Sequence, residues 1–402
     1  PFAASGREMA LAFFMYLLAY LYLQSAAWCF PVFCALFCAM AEWFYRGTPR
    51  ADESWFWLGC VAVTALAATF GENRVWEGYT PLFTHAFAVY YVLCRSGRLL
   101  EGESGQLLPL DALFGLIVFP FKHLFLRIRT VSFALTHRKT GEETHPAAWA
   151  AMAVGALLAL GLLALAVREL SGADAAFDAW TQKLLGVFQW RLNEQTLWNV
   201  LLSLPVGAYL FGLIAGTGRE KIEAVRARGE RVNAALGSLR KVPVAVWTAA
   251  LGVFAALYLA FFSLQAGYLF GAFVKMIPDG YTIAEYARQG FFSLCRVMAV
   301  NFALLWLVTR ACVKPVRQEK TLLLLCAVLL CQSLVFAAIA ASKLYLYISS
   351  YGFTPRRLQS AWLIAVLAAG TGCALYSLVT GKKAVRYWML FSAATLMLLS
   401  LY

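Results

Sequence analysis

The sequence is poor in charged residues, which occupy only 14% of its 402 positions. A soluble globular protein has about 25% charged and about 45–50% apolar residues. In this chain 62% of the residues are hydrophobic, and the mean hydropathy is +0.69. Because so few side chains are available to cover a soluble surface, the composition excludes a large soluble domain and predicts an integral membrane protein.

Sequence motifs of common enzyme and cofactor sites are also missing. There is no GxSxG, no Walker lysine loop and no GxGxxG at the start of a helix. The four histidines form no HExxH or i,i+4 pair, so neither a metal site nor a cofactor is expected. The ten cysteines have no disulfide or metal-ligand spacing and are expected to be small buried side chains in apolar helices.

Long apolar runs are what the chain has instead, and a helix needs about 20 apolar residues to cross a bilayer. Residues 9–45 are too long for one crossing, so Gln24-Ser25 and Pro31 predict a hairpin between two short spans. The sequence therefore predicts an all-α, polytopic membrane bundle of about eleven transmembrane helices. Beyond the hairpin, the predicted spans are 55–70, 80–95, 147–167, 196–217, 243–264, 290–311, 321–342, 359–380 and 387–402.

Two other segments are typical of amphipathic helices that lie in the membrane interface. Segment 107–135 has a short apolar core between Pro109 and Pro120 and then becomes basic. This pattern indicates an interfacial or re-entrant helix and not a twelfth crossing. In segment 171–195, apolar residues recur at helical spacing among charged ones, which also predicts an interfacial helix.

The 136–146 loop divides the chain loosely into a front part, residues 1–135, and a seven-helix bundle, residues 146–402. The front part has four short spans and the interfacial helix. Loop 218–241 is expected to be a helical cytoplasmic elbow with a solvated charged face, although a partner surface there stays an alternative.

The net charge of +13 is spread over short loops between apolar runs and is not gathered in one patch, so nucleic acid is not an expected partner. With the N-terminus placed in the cytoplasm, 24 of the 34 basic residues fall on the cytoplasmic side and nine on the opposite side. This asymmetry follows the positive-inside rule and predicts a multipass protein of the bacterial plasma membrane with a cytoplasmic N-terminus.

The first motif that carries unusual polarity is Glu285-Tyr286-Ala287-Arg288-Gln289-Gly290. On a helix, Glu285, Arg288, Phe292 and Arg296 form one stripe. Glu285 and Arg288 are spaced for an ion pair at the outer surface, and Arg296 lies about 12 Å deeper. Asn301 lies deeper still.

The second motif is Ser342-Lys343-Leu344-Tyr345-Leu346-Tyr347, which continues to Tyr351-Gly352 and Arg356-Arg357. Lys343, Tyr347 and Tyr351 share one helix face. Gly352 is placed to end that helix and Thr354-Pro355 to begin the next. Arginine side chains suit bidentate capture of a phosphate or carboxylate.

At these two motifs the chain resembles the bacterial multipass membrane proteins grouped as "domain of unknown function" 4153/4173. The first motif resembles that group's Glu-Tyr-Ala-Arg-x-Gly-Phe-Phe segment, and the second its Lys/Arg-Met-x-Leu-Tyr-x-x-x-Tyr-Gly-Leu-Thr-x-x-Arg segment. Leu344 and Phe353 depart mildly from it. The group's name assigns no activity, so the resemblance implies a class of protein and not a function.

Three functions remain open. The first is binding or transport of an anionic solute or lipid headgroup in an outer-facing cavity. The second is a non-catalytic membrane sensor or assembly subunit, in which the same polar residues only join helices. The third is an enzyme on a lipid-linked substrate, with Glu285 or Asp279 and Tyr286 or Tyr347 as an acid–base pair. For the first, the candidate ligand-binding residues are Glu285, Arg288, Arg296, Asn301, Lys343, Tyr347, Tyr351, Arg356 and Arg357.

Overall fold

The computed structural model describes residues 2–24, 26–71, 78–136, 194–264, 280, 282–288 and 291–401. Within these ranges the chain is helical, apart from turns and one isolated bridge between Val242 and Cys312. The helices are α1 (Gly6–Tyr22), α2 (Cys29–Phe44), α3 (Ser54–Phe70), α4 (Thr80–Ser96), α5 (Leu108–Leu113), α6 (Phe119–Lys122), α7 (Leu126–Thr136), α8 (Glu194–Phe211), α9 (Ile222–Gly237), α10 (Val244–Leu264), α11 (Ile283–Arg288), α12 (Phe291–Ala311), α13 (Lys320–Tyr351), α14 (Pro355–Thr380) and α15 (Val385–Ser400).

Ten of the eleven predicted spans coincide with one of these helices, and span 147–167 lies outside the described residues, as does nearly all of segment 171–195. Among the described residues, five helical stretches are long and apolar enough to cross a membrane, or six if the bent stretch 108–136 counts as one span. Three shorter helices, α2, α3 and α15, are also apolar. The chain is therefore a helical membrane protein, and the count of eleven crossings stays a prediction.

Helix length differs strongly along the chain. Each of α1 to α4 has 16 or 17 residues, about 25 Å at 1.5 Å per residue, which is less than the roughly 30 Å hydrocarbon core. In contrast, α13 has 32 residues, or about 48 Å, so it extends well beyond the core.

By packing, the chain forms two compact units. Unit 1 comprises Pro1–Leu58, Ala86–Arg98 and Leu110–Lys221, and unit 2 comprises Gly59–His85, Leu99–Pro109 and Ile222–Tyr402. The sequence division at loop 136–146 follows chain order, and it stays a prediction because that loop lies outside the described residues.

In unit 1, α1 packs lengthwise on α8. The two backbones approach closely at Gly207, where an added Cβ would lie 3.0 Å from the carbonyl oxygen of Met15. The first turn of α1 is fixed by a capping box, because the Ser5 side chain accepts from the backbone of Glu8 and the Glu8 side chain accepts from the backbone of Ser5. α8 continues through a π-helical turn at Gly212–Gly216 and a last α-helical turn at Thr217–Arg219, and the whole is called the α8 stretch. Arg219 Nε donates to Glu8 Oε1 at 2.6 Å, so the acidic start of α1 lies beside the end of the α8 stretch.

Segment 107–135 consists of α5, a π-helical turn at Phe114–Val118, α6 and α7, with a bend of 42° before α7. A bend of this size fits either a re-entrant helix or a broken span, so the prediction of an interfacial or re-entrant helix stays open. Its basic residue Arg127 is hydrogen-bonded within unit 1, where Arg127 Nε donates to the carbonyl of Ala12 at 3.0 Å.

In unit 2, α13 is the central helix and packs against α10, α11, α12 and α14, while α15 packs on α14. The predicted elbow is helical: α9 lies against the 99–109 segment, where an added Cβ on Gly229 would lie 2.4 Å from the carbonyl oxygen of Leu100. All ten cysteines are free thiols, and eight of them are buried as expected, whereas Cys331 is exposed and Cys373 is half-buried.

Candidate functional site

The two polar motifs meet at one end of unit 2. The ammonium nitrogen of Lys343 lies 4.4 Å from the centroid of the Tyr286 ring, and both side chains are completely buried. Tyr286 lies on α11 and Lys343 in the last third of α13. A cation over an aromatic face is stabilised by the ring quadrupole, and the gain is larger where water is excluded.

The position of Tyr286 follows from how α11 begins. Thr282 N donates to Glu285 Oε2 at 3.1 Å, and Glu285 N donates to Thr282 Oγ1 at 3.3 Å, which together form a capping box. Ile283 and Leu346 then pack around the Tyr286 ring. The carboxylate of Glu285 therefore orders the start of α11, a role that the Thr-x-x-Glu spacing signals and that the ion-pair interpretation overlooked.

The side chain of Arg288 lies outside the described residues, so its ion pair with Glu285 stays a prediction. Arg296 is exposed on α12, next to the exposed Phe292, as the predicted stripe requires. Its Nη2 donates to Ser293 Oγ at 3.1 Å, so the guanidinium bends toward the Phe291 end of the helix.

Arg357 closes the turn between α13 and α14. Its guanidinium lies 4.0 Å from the centroid of the Tyr347 ring, and its Nη1 donates to the carbonyl of Tyr351 at 2.9 Å and to that of Gly352. Gly352 has φ of +78° and ψ of 178°, a conformation that is open essentially only to glycine. A cation at the carboxyl end of α13 also interacts favourably with the helix dipole.

Other residues of the second motif face outward from this turn. Tyr345 is 66% exposed, Tyr351 is 50% exposed, and Arg356 is exposed at the start of α14. The name "motif corner" is used below for Tyr286, Lys343, Tyr347, Tyr351, Arg356 and Arg357. It has a buried cation–aromatic base and an accessible rim of tyrosine and arginine side chains.

Asn301 is not part of the motif corner, although the sequence grouped it with Arg296. It follows Arg296 by five residues, about 140° around a helix, and is buried on the opposite side of α12. Its Oδ1 accepts from the Tyr258 hydroxyl at 2.7 Å, and its Nδ2 donates to Ser333 Oγ at 2.8 Å. The observed bonds of Asn301 therefore join α10, α12 and α13, which is the structural role that the sequence left open.

A second polar cluster, in unit 1, was missed from the sequence. Glu220 is buried, and its carboxylate binds the Lys122 ammonium and His123 Nε2, the latter at 3.0 Å. Burial acts to raise the pKa of Glu220, but the hydrogen bonds from Lys122 and His123 outweigh it and hold that pKa below the ordinary value. Loop 218–241 was interpreted as a solvated charged face and segment 107–135 as an interfacial or re-entrant helix, and neither interpretation indicated this pairing.

Arg98 completes this cluster from the end of α4. Its Nε donates to the backbone carbonyl of Glu220 at 2.7 Å, its Nη2 to that of Gly218 at 2.6 Å and its Nη1 to that of Ser96 at 2.7 Å. The last carbonyl groups of a helix have no hydrogen-bond donor within the helix. The Arg98 guanidinium supplies donors to such carbonyls at the end of the stretch that begins with α8.

A third charged contact joins α2 to α4. Glu42 accepts from Arg95 Nε at 2.7 Å and from the Tyr91 hydroxyl at 2.9 Å. Arg95 also donates to the carbonyl of Tyr45 at 2.7 Å. Glu42 is the one charged residue in 9–45, but its partner could not be inferred from sequence spacing.

The family model described as "Domain of unknown function (DUF4153)" matches residues 9–402 of the chain. The chain belongs to the DUF4153 family. The match supports the 4153 part of the resemblance seen at the two motifs and does not extend to 4173. Comparison with curated proteins gives no match, and neither does comparison with solved structures.

Proposed function

We propose that this DUF4153 protein binds an anionic group, a lipid headgroup or an anionic solute, at the motif corner. The observation that carries the proposal is the contact between the Lys343 ammonium and the Tyr286 ring, 4.4 Å apart and fully buried. It joins two motifs more than 50 residues apart in sequence into one electropositive structure. Burying an ammonium group away from water is costly unless the charge is paired, so a completely buried Lys343 indicates a specific role.

The depth of the motif corner suits a headgroup. Residues 320–340 of α13 already cover about 30 Å, the thickness of a hydrocarbon core, so Lys343 and the residues after it lie at or beyond its far edge. Arg296 lies five residues from the Phe291 end of α12, about 8 Å, and bends toward that end. An arginine side chain can snorkel over such a distance to the same interface.

The rim supplies the donors that a phosphate or carboxylate needs. Arg356 is exposed, and the Arg357 guanidinium lies over the Tyr347 ring while its Nη1 is bonded to the end of α13. A guanidinium has five donors in a planar fork, so Arg357 is oriented without being saturated by the two bonds described. Lys343 adds a positive charge from below the rim.

The proposal includes eleven crossings with a cytoplasmic N-terminus in a bacterial plasma membrane. Support comes from helix ends that meet in unit 1. Arg98, just after α4, donates to the carbonyl of Gly218, at the end of the stretch that begins with α8, so the two stretches end on one side of the membrane. The chain between the end of α4 and the start of α8 must then cross the membrane an odd number of times. One crossing at 147–167, with segment 107–135 not crossing, satisfies this requirement.

A non-catalytic sensor or assembly subunit is the second candidate. The hydrogen bonds of Asn301 favour it, because they use one predicted ligand-binding residue to join three helices. In that case α9, with its exposed charged face, is the partner surface. The enzyme alternative is weaker, since Glu285 is occupied in capping α11 and Tyr286 is buried beneath Lys343.

The test is a binding measurement on the purified full chain with two soluble probes, short-chain phosphatidylglycerol and glycerol 3-phosphate, by titration calorimetry. Arg356→Gln/Arg357→Gln is expected to weaken binding at least about tenfold, because charge-assisted hydrogen bonds are lost. The matched control, Arg46→Gln/Arg129→Gln, removes two exposed cations of unit 1 and should leave binding unchanged.

Arg356→Gln alone keeps the test valid if loss of the Arg357 cap impairs folding, since Arg356 is exposed. Binding of phosphatidylglycerol alone would identify a headgroup site, and binding of both probes an anion site open to solutes. No binding of either probe, or equal loss in the control, would refute the proposal and favour the assembly subunit.

A further inference from the structure

The end of unit 2 that lies opposite the motif corner has three loops tied together. Val242 N donates to the carbonyl of Ala311 at 3.0 Å, and the carbonyl of Val242 accepts from Val313 N at 3.0 Å. Arg317 Nη2 donates to the carbonyl of Val379 at 2.9 Å. These bonds hold residues 238–243, 310–320 and 379–386 side by side, and together they are called the basic end.

The basic end carries nine basic residues and one acidic residue. Seven of the basic residues are exposed: Arg240, Lys241, Lys314, Arg317, Lys320, Lys382 and Lys383. The acidic residue, Glu319, accepts from Lys314 Nζ at 2.6 Å. A cluster of this size and sign produces a strongly positive local potential.

Specific contacts set the positions of these charged side chains, which a signal for membrane insertion does not require. Gly381 has φ of +76° at the end of α14, and an added Cβ there would run into the Arg317 guanidinium. Arg317 is therefore packed against a helix end whose carbonyl it binds. The positive-inside rule needs only the number of cations, whereas here their positions are set by contacts.

Apolar side chains lie between the cations. Leu239 is 48% exposed, Val313 is 51% exposed, and Tyr387, at the start of α15, is 67% exposed. Each of the three loops lies within a few residues of the end of a helix of unit 2. These side chains therefore lie at the level where hydrocarbon gives way to headgroups. Tyrosine and basic residues are typical of that level.

We propose that the basic end binds anionic phospholipid headgroups of the leaflet that it faces. Lysine and arginine side chains contact the phosphates, while Leu239, Val313 and Tyr387 lie against the upper acyl chains. Basic clusters next to membrane-crossing helices bind anionic lipid in this way. The interleaved apolar residues favour a lipid over a soluble polyanion, which would gain nothing from them.

The proposal is tested with the full chain in phosphatidylcholine vesicles that contain spin-labelled phosphatidylglycerol or spin-labelled phosphatidylcholine. The wild-type protein should retain the labelled phosphatidylglycerol preferentially. Lys320→Gln/Lys382→Gln/Lys383→Gln should reduce that preference at least about threefold, since each cation near an anionic surface contributes a factor of about five. NaCl at about 0.5 M should have the same effect, because it shortens the screening length to about 4 Å.

The matched control is Arg46→Gln/Arg129→Gln/Lys221→Gln, which removes three exposed cations that are not in the basic end. It should keep the preference. Equal loss in both variants, or no preference in the wild-type protein, would overturn the proposal. Displacement of the lipid label by inorganic phosphate as effectively as by unlabelled phosphatidylglycerol would also overturn it, because the site would then recognise a free anion.

Discussion

In unit 1, Glu8 and Glu220 bind cations at the ends of helices, whereas in unit 2 the neutral side chain of Asn301 joins the middles of helices. Arg219 binds Glu8 at 2.6 Å, linking the start of α1 to the end of the α8 stretch. In unit 2, the bonds of Asn301 to Tyr258 and Ser333 lie halfway along α12. The difference follows the cost of desolvation, which is severe for ions and modest for neutral groups that find partners.

The motif corner departs from this pattern. Lys343 is a charged residue that unit 2 buries completely, and an aromatic ring covers it. Burying a charge away from water is costly unless it is paired, and here the Tyr286 ring faces the ammonium, whereas Asn301 is neutral and its bonds join three helices. We therefore expect that removing a charged group at a helix end lowers the unfolding free energy more than removing a neutral hydrogen bond in the middle of a helix.

The largest effect is expected for Glu220→Gln. The change removes the buried carboxylate that binds the exposed Lys122 and the half-buried His123, so unfolding free energy should fall by about 3 kcal/mol, because two charge-assisted hydrogen bonds are lost. Thermal unfolding in detergent measures it. A loss below about 0.5 kcal/mol, the value of an exposed pair, would show that the cluster is solvated.

The same carboxylate predicts a pH dependence. Because the folded-state pKa of Glu220 is lowered, its contribution is complete above the ordinary value of 4.5 and disappears as the pH falls through the lower, folded-state pKa. Unfolding curves of the wild-type protein should therefore lose stability below pH 4.5 more steeply than those of Glu220→Gln. Parallel curves would contradict the assignment.

A smaller loss, about 2 kcal/mol, is expected for Gly352→Ala at the motif corner. A Cβ at Gly352 would have open space around it, so the whole cost comes from the backbone conformation. Gly372→Ala is the control, because its Cβ would also meet nothing but its backbone is helical. The control should be neutral or slightly stabilising, and equal effects of the two changes would argue against a strained turn.

Next comes Asn301→Ala, with an expected loss of about 1 kcal/mol, since hydrogen bonds between membrane helices average about 0.6 kcal/mol each. Tyr258→Phe should cost about half as much because it removes one bond only. A double-mutant cycle of the two changes should show coupling. Unchanged unfolding free energy together with lost ligand binding would instead show that Asn301 is a ligand-binding residue.

The smallest effect is expected for Glu319→Gln in the basic end. Its bond to Lys314 joins a half-buried acid to an exposed base, and such pairs contribute little because water and salt screen them. Together, Glu319→Gln and Glu220→Gln compare the unfolding free energy that depends on a half-buried carboxylate at the surface of unit 2 with that which depends on a buried carboxylate of unit 1. A cost as large as that of Glu220→Gln would remove the distinction.

Much of the fold could be predicted because hydrophobic run length determines where membrane helices form. Gly352 ends α13 and Pro355 begins α14, as the residue types indicate. Pairings could not be predicted in this way. Lys122 and Glu220 are 98 residues apart, and nothing in a single sequence says which loops come together.

The candidate site shows the same limit. Helical spacing correctly placed Lys343 and Tyr347 on one face, where Arg357 stacks on Tyr347. It could not show that Lys343 is covered by Tyr286, because that contact depends on how α11 folds back on α13. Asn301 was assigned by its depth alone, and depth does not determine which side of a helix a residue occupies.

The most direct measurement is an experimental density map of the protein in a bilayer that contains phosphatidylglycerol. We expect headgroup-sized density within hydrogen-bonding distance of Arg356 and Arg357, above the buried pair of Lys343 and Tyr286. A motif corner filled only by protein side chains, with both guanidinium groups bonded to the chain itself, would contradict it.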